Sequence, residues 1–187
     1  MLDPTHPWGR PIAPFLPKGI TATVAQHSWQ VDEYFRVRRE IFADEQGLFT
    51  ASDRDEFDSI ALPIVALALV AGVGHEVVGV VRIYSPERGV YFGGRLGVAA
   101  SHRRVGAIGT ALITCAVSQA HALGCQRFYA TVQEQNVKYF ERHAFVVRET
   151  LQLCGRPHRL MEADLAAYPP ELAQGPIHVS QPGHRAA

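Results

Sequence analysis

Residues 104–110, Arg104-Val105-Gly106-Ala107-Ile108-Gly109-Thr110, place small residues at the entrance of an apolar helical stripe. The first N–H groups of a helix lack partners within it, and the helix dipole favours negative charge there, so such an entrance can hold an anion. Gly106, Ala107 and Gly109 allow a diphosphate to approach the backbone, while Arg103 and Arg104 can neutralise its charge from the rim. The same residues also fit a tight turn with a glycine-tolerant helix start, because a lone glycine-rich loop is a weak signal.

Other chemistries find less support. The nine histidines show no paired ligand spacing, and Cys115, Cys125 and Cys154 form no CxxC pair, so no metal is expected. An odd number of cysteines in apolar stretches fits a reducing compartment, and the cytoplasm is the expected location. Eighteen basic residues balance eighteen acidic ones, which argues against nucleic acid and anionic membrane surfaces as partners. The longest apolar segment, residues 60–73, is interrupted by Pro63 and Gly72 and is too short to span a bilayer. Asp53, Asp55, Glu56 and Asp58 read as a solvated loop, with an amine trap as the functional alternative. Arg36, Arg38 and Arg39 read as the solvated face of a helix, with a basic docking patch as theirs.

The elements that must position the loop follow from periodicity. Residues 21–26 alternate like a first strand, and Val31, Tyr34, Phe35, Arg38, Ile41 and Phe42 recur at helical spacing. Residues 63–71 and 76–84 are β-branched runs split by Gly72-Val73-Gly74, and a second turn at residues 85–89 leads to a third strand over 90–99. Ile108, Leu112, Cys115, Ala116, Gln119 and Leu123 then share one helical stripe, capped by Gly124 and followed by a strand over 127–132. A short helix over 136–143 and strands over 145–153 and 160–164 complete a mixed α/β sheet flanked by helices, most of its strands antiparallel. Proline spacing marks residues 1–19 as an extended arm, and proline and glycine mark 167–187 as a flexible tail, which leaves one domain over 20–166.

With Leu96-Gly97-Val98 before it, the segment Arg103-Arg104-Val105-Gly106-Ala107-Ile108-Gly109-Thr110-Ala111-Leu112 resembles the acyl-CoA-binding motif R-x-x-G/A-x-G/A of the GNAT superfamily of N-acetyltransferases, best registered on Arg104. Residues 37–42 with Glu45-Gln46-Gly47, then Asp55-Glu56-Phe57-Asp58, resemble the first helix and loop of its ElaA-like branch. Residues 132–145 and Gly155-Arg156-Pro157-His158 with Met161 resemble that branch's later motifs, and the nitrogen-starvation GNAT group encoded beside nitrilases is also similar.

The resemblance implies a GNAT fold, acetyl-CoA or another acyl-CoA as co-substrate, and transfer of the acyl group to a small-molecule amine. Leu96, Gly97 and Val98 would pair with the thioester arm, and a backbone N–H near Val98 would polarise its carbonyl. An amine must lose its proton before it attacks, and Glu45 and His158 are the candidate bases. The family's proton-donating tyrosine aligns with Phe140, so Tyr139, about 100° away around a helix, is the candidate acid and would need a local shift. Asn136 is a candidate for orienting the cofactor's pantetheine arm or a water, or for capping the late helix. Open alternatives are an acyl-CoA-binding or scaffolding module that has lost its proton donor, and an acyltransferase for a longer acyl chain or an acyl carrier protein. A homodimer, or contact with a partner enzyme through the proline-rich arm, is the remaining partner expectation.

Overall fold

The computed structural model describes residues 19–47, 52–153 and 155–180. The proline-rich arm as far as residue 18, Cys154 and the last seven residues lie outside the described residues. Among the described residues eight strands form one sheet, in the order β6 (Phe145–Leu153), β7 (Arg156–Ala163), β5 (Arg127–Gln133), β4 (Val90–Val98), β3 (Val73–Glu87), β2 (Leu62–Val70), β1 (Gly19–Val24) and β8 (Ile177–Ser180). Strands β1 (Gly19–Val24), β2 (Leu62–Val70), β3 (Val73–Glu87) and β4 (Val90–Val98) pair antiparallel with their sequence neighbours. The β2–β3 hairpin turns at Ala71 and Gly72, both with positive φ (52° and 80°), the backbone that suits a tight hairpin between right-twisted strands. The turn therefore falls one residue earlier than the expected Gly72-Val73-Gly74.

Beyond β4 the chain enters α2 (Ala107–Ala122), then β5 (Arg127–Gln133), α3 (Val137–Glu141), β6 (Phe145–Leu153) and β7 (Arg156–Ala163). The mixed sheet flanked by helices is as expected from the periodicity. Among the described residues its one parallel pairing joins β4 to β5, with α2 as the crossover between them.

The two faces of β3 carry two cores. Val78, Val81 and Ile83 face α2, with Ile108, Leu112 and Ala116 packed against the sheet. Val77 and Val80 face α1 (Ser28–Arg39) and meet its Tyr34 and Val37. The last turns of this helix, Glu40–Glu45, widen into a π-helix, a form frequent at functional sites.

Two expectations are overturned. The chain after Tyr168 is no loose tail as far as residue 180: a 3-10 turn at Pro170–Gln174 leads to β8 (Ile177–Ser180), which pairs with β1 at the sheet edge. The cause lies in α2, whose buried residues surround its axis and include Ala111, Ile113, Val117 and Ala120. A helix apolar on all sides needs a cover beyond the sheet. The C-terminal segment supplies it, with Tyr168 buried and its carbonyl accepting from His121 Nδ1 at 2.8 Å.

The acidic run at residues 53–58 is not a solvated loop, nor is Arg38 on a solvated face. The Arg38 side chain is 0% exposed and the Asp53 side chain 3%. Arg38 donates to Asp53 Oδ2 at 2.6 Å and to Asp58 Oδ1 at 2.5 Å, and Arg82 and Arg95 from β3 and β4 complete a cluster of three guanidiniums and three carboxylates. Arg36 stays outside, paired with Glu33 and Glu40 at the surface.

Candidate active site

β4 and β5 pair only from Val90 with Arg127 to Gly93 with Ala130. Beyond Gly93, β4 runs on to Val98 and β5 to Gln133 without pairing to each other, so the sheet opens into a wedge. The wedge begins beside an irregularity in β4, where Val80 opposes Gly97 but Arg82 opposes Gly94 and the extra residue Arg95 takes φ +56°. Such a bulge bends its strand and ends pairing on one side.

A cavity of about 800 Å³ fills this wedge. It reaches the entrance of α2 at Val105, Gly106 and Gly109, and Leu96, Gly97 and Val98 border it along β4. The Ala99 N–H donates to the Val78 carbonyl on β3 at 2.9 Å. Because successive amides of a strand point to opposite edges, the Val98 N–H faces the wedge. Arg103 Nε donates to the Val98 carbonyl at 3.0 Å on that same edge.

At the helix entrance the Ile108 N–H is taken by the Val105 carbonyl at 3.0 Å. Among the described residues no backbone carbonyl takes the N–H of Gly106, Ala107 or Gly109, which are the donors an anion would use. The Ile108 side chain is fully buried against the sheet, so only its backbone belongs to the entrance. Arg104 and Thr110 are exposed beside it, and the Thr110 hydroxyl is hydrogen-bonded to His143 Nε2 at 2.9 Å.

Gly97 has a packing reason of its own. A Cβ there would come within 2.9 Å of Ile41 Cδ1, so its absence lets the π-helical turn close on β4.

The candidate proton carriers separate. Glu45 forms an ion pair with Arg103 and is not in the cavity wall, so its carboxylate is already committed. His158 on β7 stands opposite Gln133 of β5 and borders the cavity. Its Nδ1 lies 2.9 Å from the Arg156 carbonyl; a carbonyl only accepts, so Nδ1 carries the proton and Nε2 of the neutral ring holds the lone pair.

Tyr139 also borders the cavity, and its hydroxyl lies over Gly109. Phe140 turns into the core and packs edge-on against Phe145 at 5.1 Å. Both side chains border the cavity, and of the two only Tyr139 carries a proton to give. Asn136 borders the cavity without capping α3 through its side chain.

On the α1 face an aromatic ladder crosses the strands. Phe57 stacks on Tyr84 at 4.5 Å, and Tyr84, Phe92 and Tyr129 follow in register across β3, β4 and β5. The ion cluster adjoins it, with Asp55, Arg82 and Arg95 in the cavity wall. Burial works against the Asp58 carboxylate, but Arg38, the Asp55 N–H and Arg82 outweigh it and hold its pKa at about 2. Arg95 shifts the other way: burial and the neighbouring Arg82 charge push its pKa below the ordinary value. Sequence reasoning missed this cluster because its partners come from α1, a loop and two strands. Among the described residues no group of side chains is arranged to hold a metal ion. No helix among them is long and apolar enough to cross a membrane.

Residues 25–145 match the acetyltransferase (GNAT) family. Among solved structures the chain is similar to an acyl-CoA N-acyltransferase from Pseudomonas aeruginosa, with TM-score 0.63 and 20% identity over 78% of this chain and 98% of that one. It is similar to ElaA from Escherichia coli, with TM-score 0.62 and 19% identity over 78% and 98% of the two chains. It also resembles BjaI, a CoA-dependent acyl-homoserine lactone synthase solved with SAM and isopentyl-CoA, with TM-score 0.61 and 19% identity over 83% and 87%. At these identities the likeness concerns the fold. No curated protein matches the chain. With the family match spanning most of its length, the protein belongs to the acetyltransferase (GNAT) family.

Proposed function

We propose that the protein transfers an acyl group, acetyl in the first instance, from coenzyme A to the amine of a small molecule. The observation that carries this reading is the continuity of one cavity from the wedge between β4 and β5 to the amide-lined entrance of α2. A thioester arm laid along Leu96, Gly97 and Val98 would bring its carbonyl to the Val98 N–H, with its diphosphate on the Gly106, Ala107 and Gly109 amides. One oxyanion donor of this kind is worth roughly 3 kcal/mol of transition-state stabilisation.

In this reading His158 Nε2 takes a proton from the acceptor ammonium, directly or through a water. The free amine attacks the thioester carbon, the tetrahedral intermediate collapses with cleavage of the carbon–sulfur bond, Tyr139 protonates the departing thiolate, and the second proton of the attacking nitrogen returns to the tyrosinate through water. Glu45 serves instead to hold Arg103 against the Val98 carbonyl. The narrower kinship with the nitrogen-starvation group rests on the sequence resemblance, and the cytoplasm remains the proposed location.

A thermal-shift series with acetyl-CoA, longer acyl-CoAs and free coenzyme A tests binding. Ligand at 100 times its dissociation constant should stabilise by about 2.7 kcal/mol. Release of free thiol on adding amines separates an enzyme from a binding module: a shift without thiol release from any amine would favour the module.

A further inference from the structure

The cluster of Arg38, Arg82, Arg95, Asp53, Asp55 and Asp58 is balanced in charge but uneven in how well its groups are satisfied. Asp55 Oδ1 accepts from Arg82 Nη1 and the Phe57 N–H, and its Oδ2 from Arg82 Nη2 and Arg95 Nη2. Asp58 accepts from Arg38, Arg82 and the Asp55 N–H. Asp53 Oδ2 accepts from Arg38 and Arg95. A cationic ligand would have to displace a guanidinium from one of these carboxylates.

The positive side has capacity left. Arg82 has a side chain 3% exposed, yet its Nε is buried without a hydrogen-bond partner among the described residues. A buried donor in that condition is costly unless something completes it. Gly94 leaves room on that side, since a Cβ built there would meet only Arg82 Nε, at 3.6 Å. Arg82, Gly94 and Arg95 all border the cavity, and the left-handed backbone of Arg95 sets its guanidinium in the same wall. The missing partner is therefore a hydrogen-bond acceptor, and the two guanidiniums in the same wall favour an anionic one.

We propose that the acyl acceptor is an amine that also carries a carboxylate, an amino-acid-type substrate, and that the Arg82–Arg95 wall at Gly94 holds that carboxylate. Gly94, Leu96 and Val98 all border the cavity along β4, so a carboxylate held at Gly94 and a thioester held at Val98 would share one wall. The stacked Phe57, Tyr84 and Phe92 flank this path and suit the apolar body of such a molecule. Asp53, Asp55 and Asp58 each accept from two guanidiniums, so an ammonium group would compete with arginines at all three.

This assignment rests on the acyl-transfer reading, and the test keeps the two apart. Thiol release from acetyl-CoA is measured with the full chain and α- and ω-amino acids, each paired with the compound in which a carboxamide replaces the carboxylate. The acids are expected to exceed their amides at least tenfold in kcat/KM. Gly94→Ala introduces only an ordinary contact and should raise the acceptor KM at least fivefold, while the acetyl-CoA thermal shift stays as in the parent protein. Amides equal to or better than the acids, or an unchanged acceptor KM in Gly94→Ala, overturn the carboxylate site and leave acyl transfer standing. Loss of both the acetyl-CoA shift and all thiol release overturns both.

Discussion

The hydroxyl of Tyr139 and the backbone of Gly109 are in such close approach that a Cβ added to Gly109 would stand 2.5 Å from the phenolic oxygen. Gly109 thus serves two neighbours, leaving its amide open at the helix entrance and giving the α3 tyrosine its place. Gly109→Leu should abolish the stabilisation by acetyl-CoA in a thermal-shift assay. Gly106→Ala is the control, because nothing lies within 4 Å of the added carbon. Its ligand-free stability should stay within about 0.5 kcal/mol of the parent.

Tyr139 is the proposed acid for the leaving thiolate, and Tyr139→Phe removes the proton while keeping the ring. Coenzyme A thiolate can leave unaided, so kcat should fall by about tenfold to a hundredfold, near or below the lower end of general-acid effects. The acetyl-CoA thermal shift should persist. A variant that loses the shift and the rate together would make Tyr139 a binding residue only.

The parts of this site that were legible in the sequence are those made by neighbours in the chain. Residues 104–110 announce a helix entrance because small residues precede an apolar stripe, and the meander shows in three β-branched runs broken at turns. The ion cluster was hidden because its bonds join residues 15 to 42 positions apart, as in Arg38 with Asp53 and Arg95 with Asp53. A local count of charge cannot distinguish such a cluster from a solvated loop. The C-terminal segment was misread because its prolines and glycines indicate a loop, while the evidence for its packing lay in α2, where Ile113, Val117 and Ala120 turn apolar surface away from any single stripe. The choice between Tyr139 and Phe140 depended on the rotation of a five-residue helix, which alignment alone does not set.

Arg38 holds α1 to the loop at residues 53–58 from a fully buried position. Removing one member of a buried ion cluster leaves the others under-partnered, which typically costs 3–5 kcal/mol. Arg38→Met should lower the unfolding free energy by about that amount in denaturant titrations. Arg36→Ala, two residues away on the exposed side, should cost no more than about 1 kcal/mol.

Acid should weaken the same cluster with a defined sign. The Asp58 carboxyl sits at about 2 in the folded protein against 3.8 for the ordinary group. A depressed folded value means that the unfolded chain binds the proton first, so the stabilisation is complete above about pH 4 and fades as pH falls toward 2. Discounted for solvent screening, the carboxylate should contribute on the order of 1–2 kcal/mol at neutral pH. Asp58→Asn keeps the shape and removes the titration, so its stability deficit at pH 7 should shrink steadily between pH 4 and pH 2. Because the Asp58 side chain is only 11% exposed, 1 M salt should leave most of the neutral-pH deficit in place. Parallel pH curves for the two proteins, or a deficit erased by salt, would mean that this carboxylate acts as a surface charge and that the buried cluster is held by its other members.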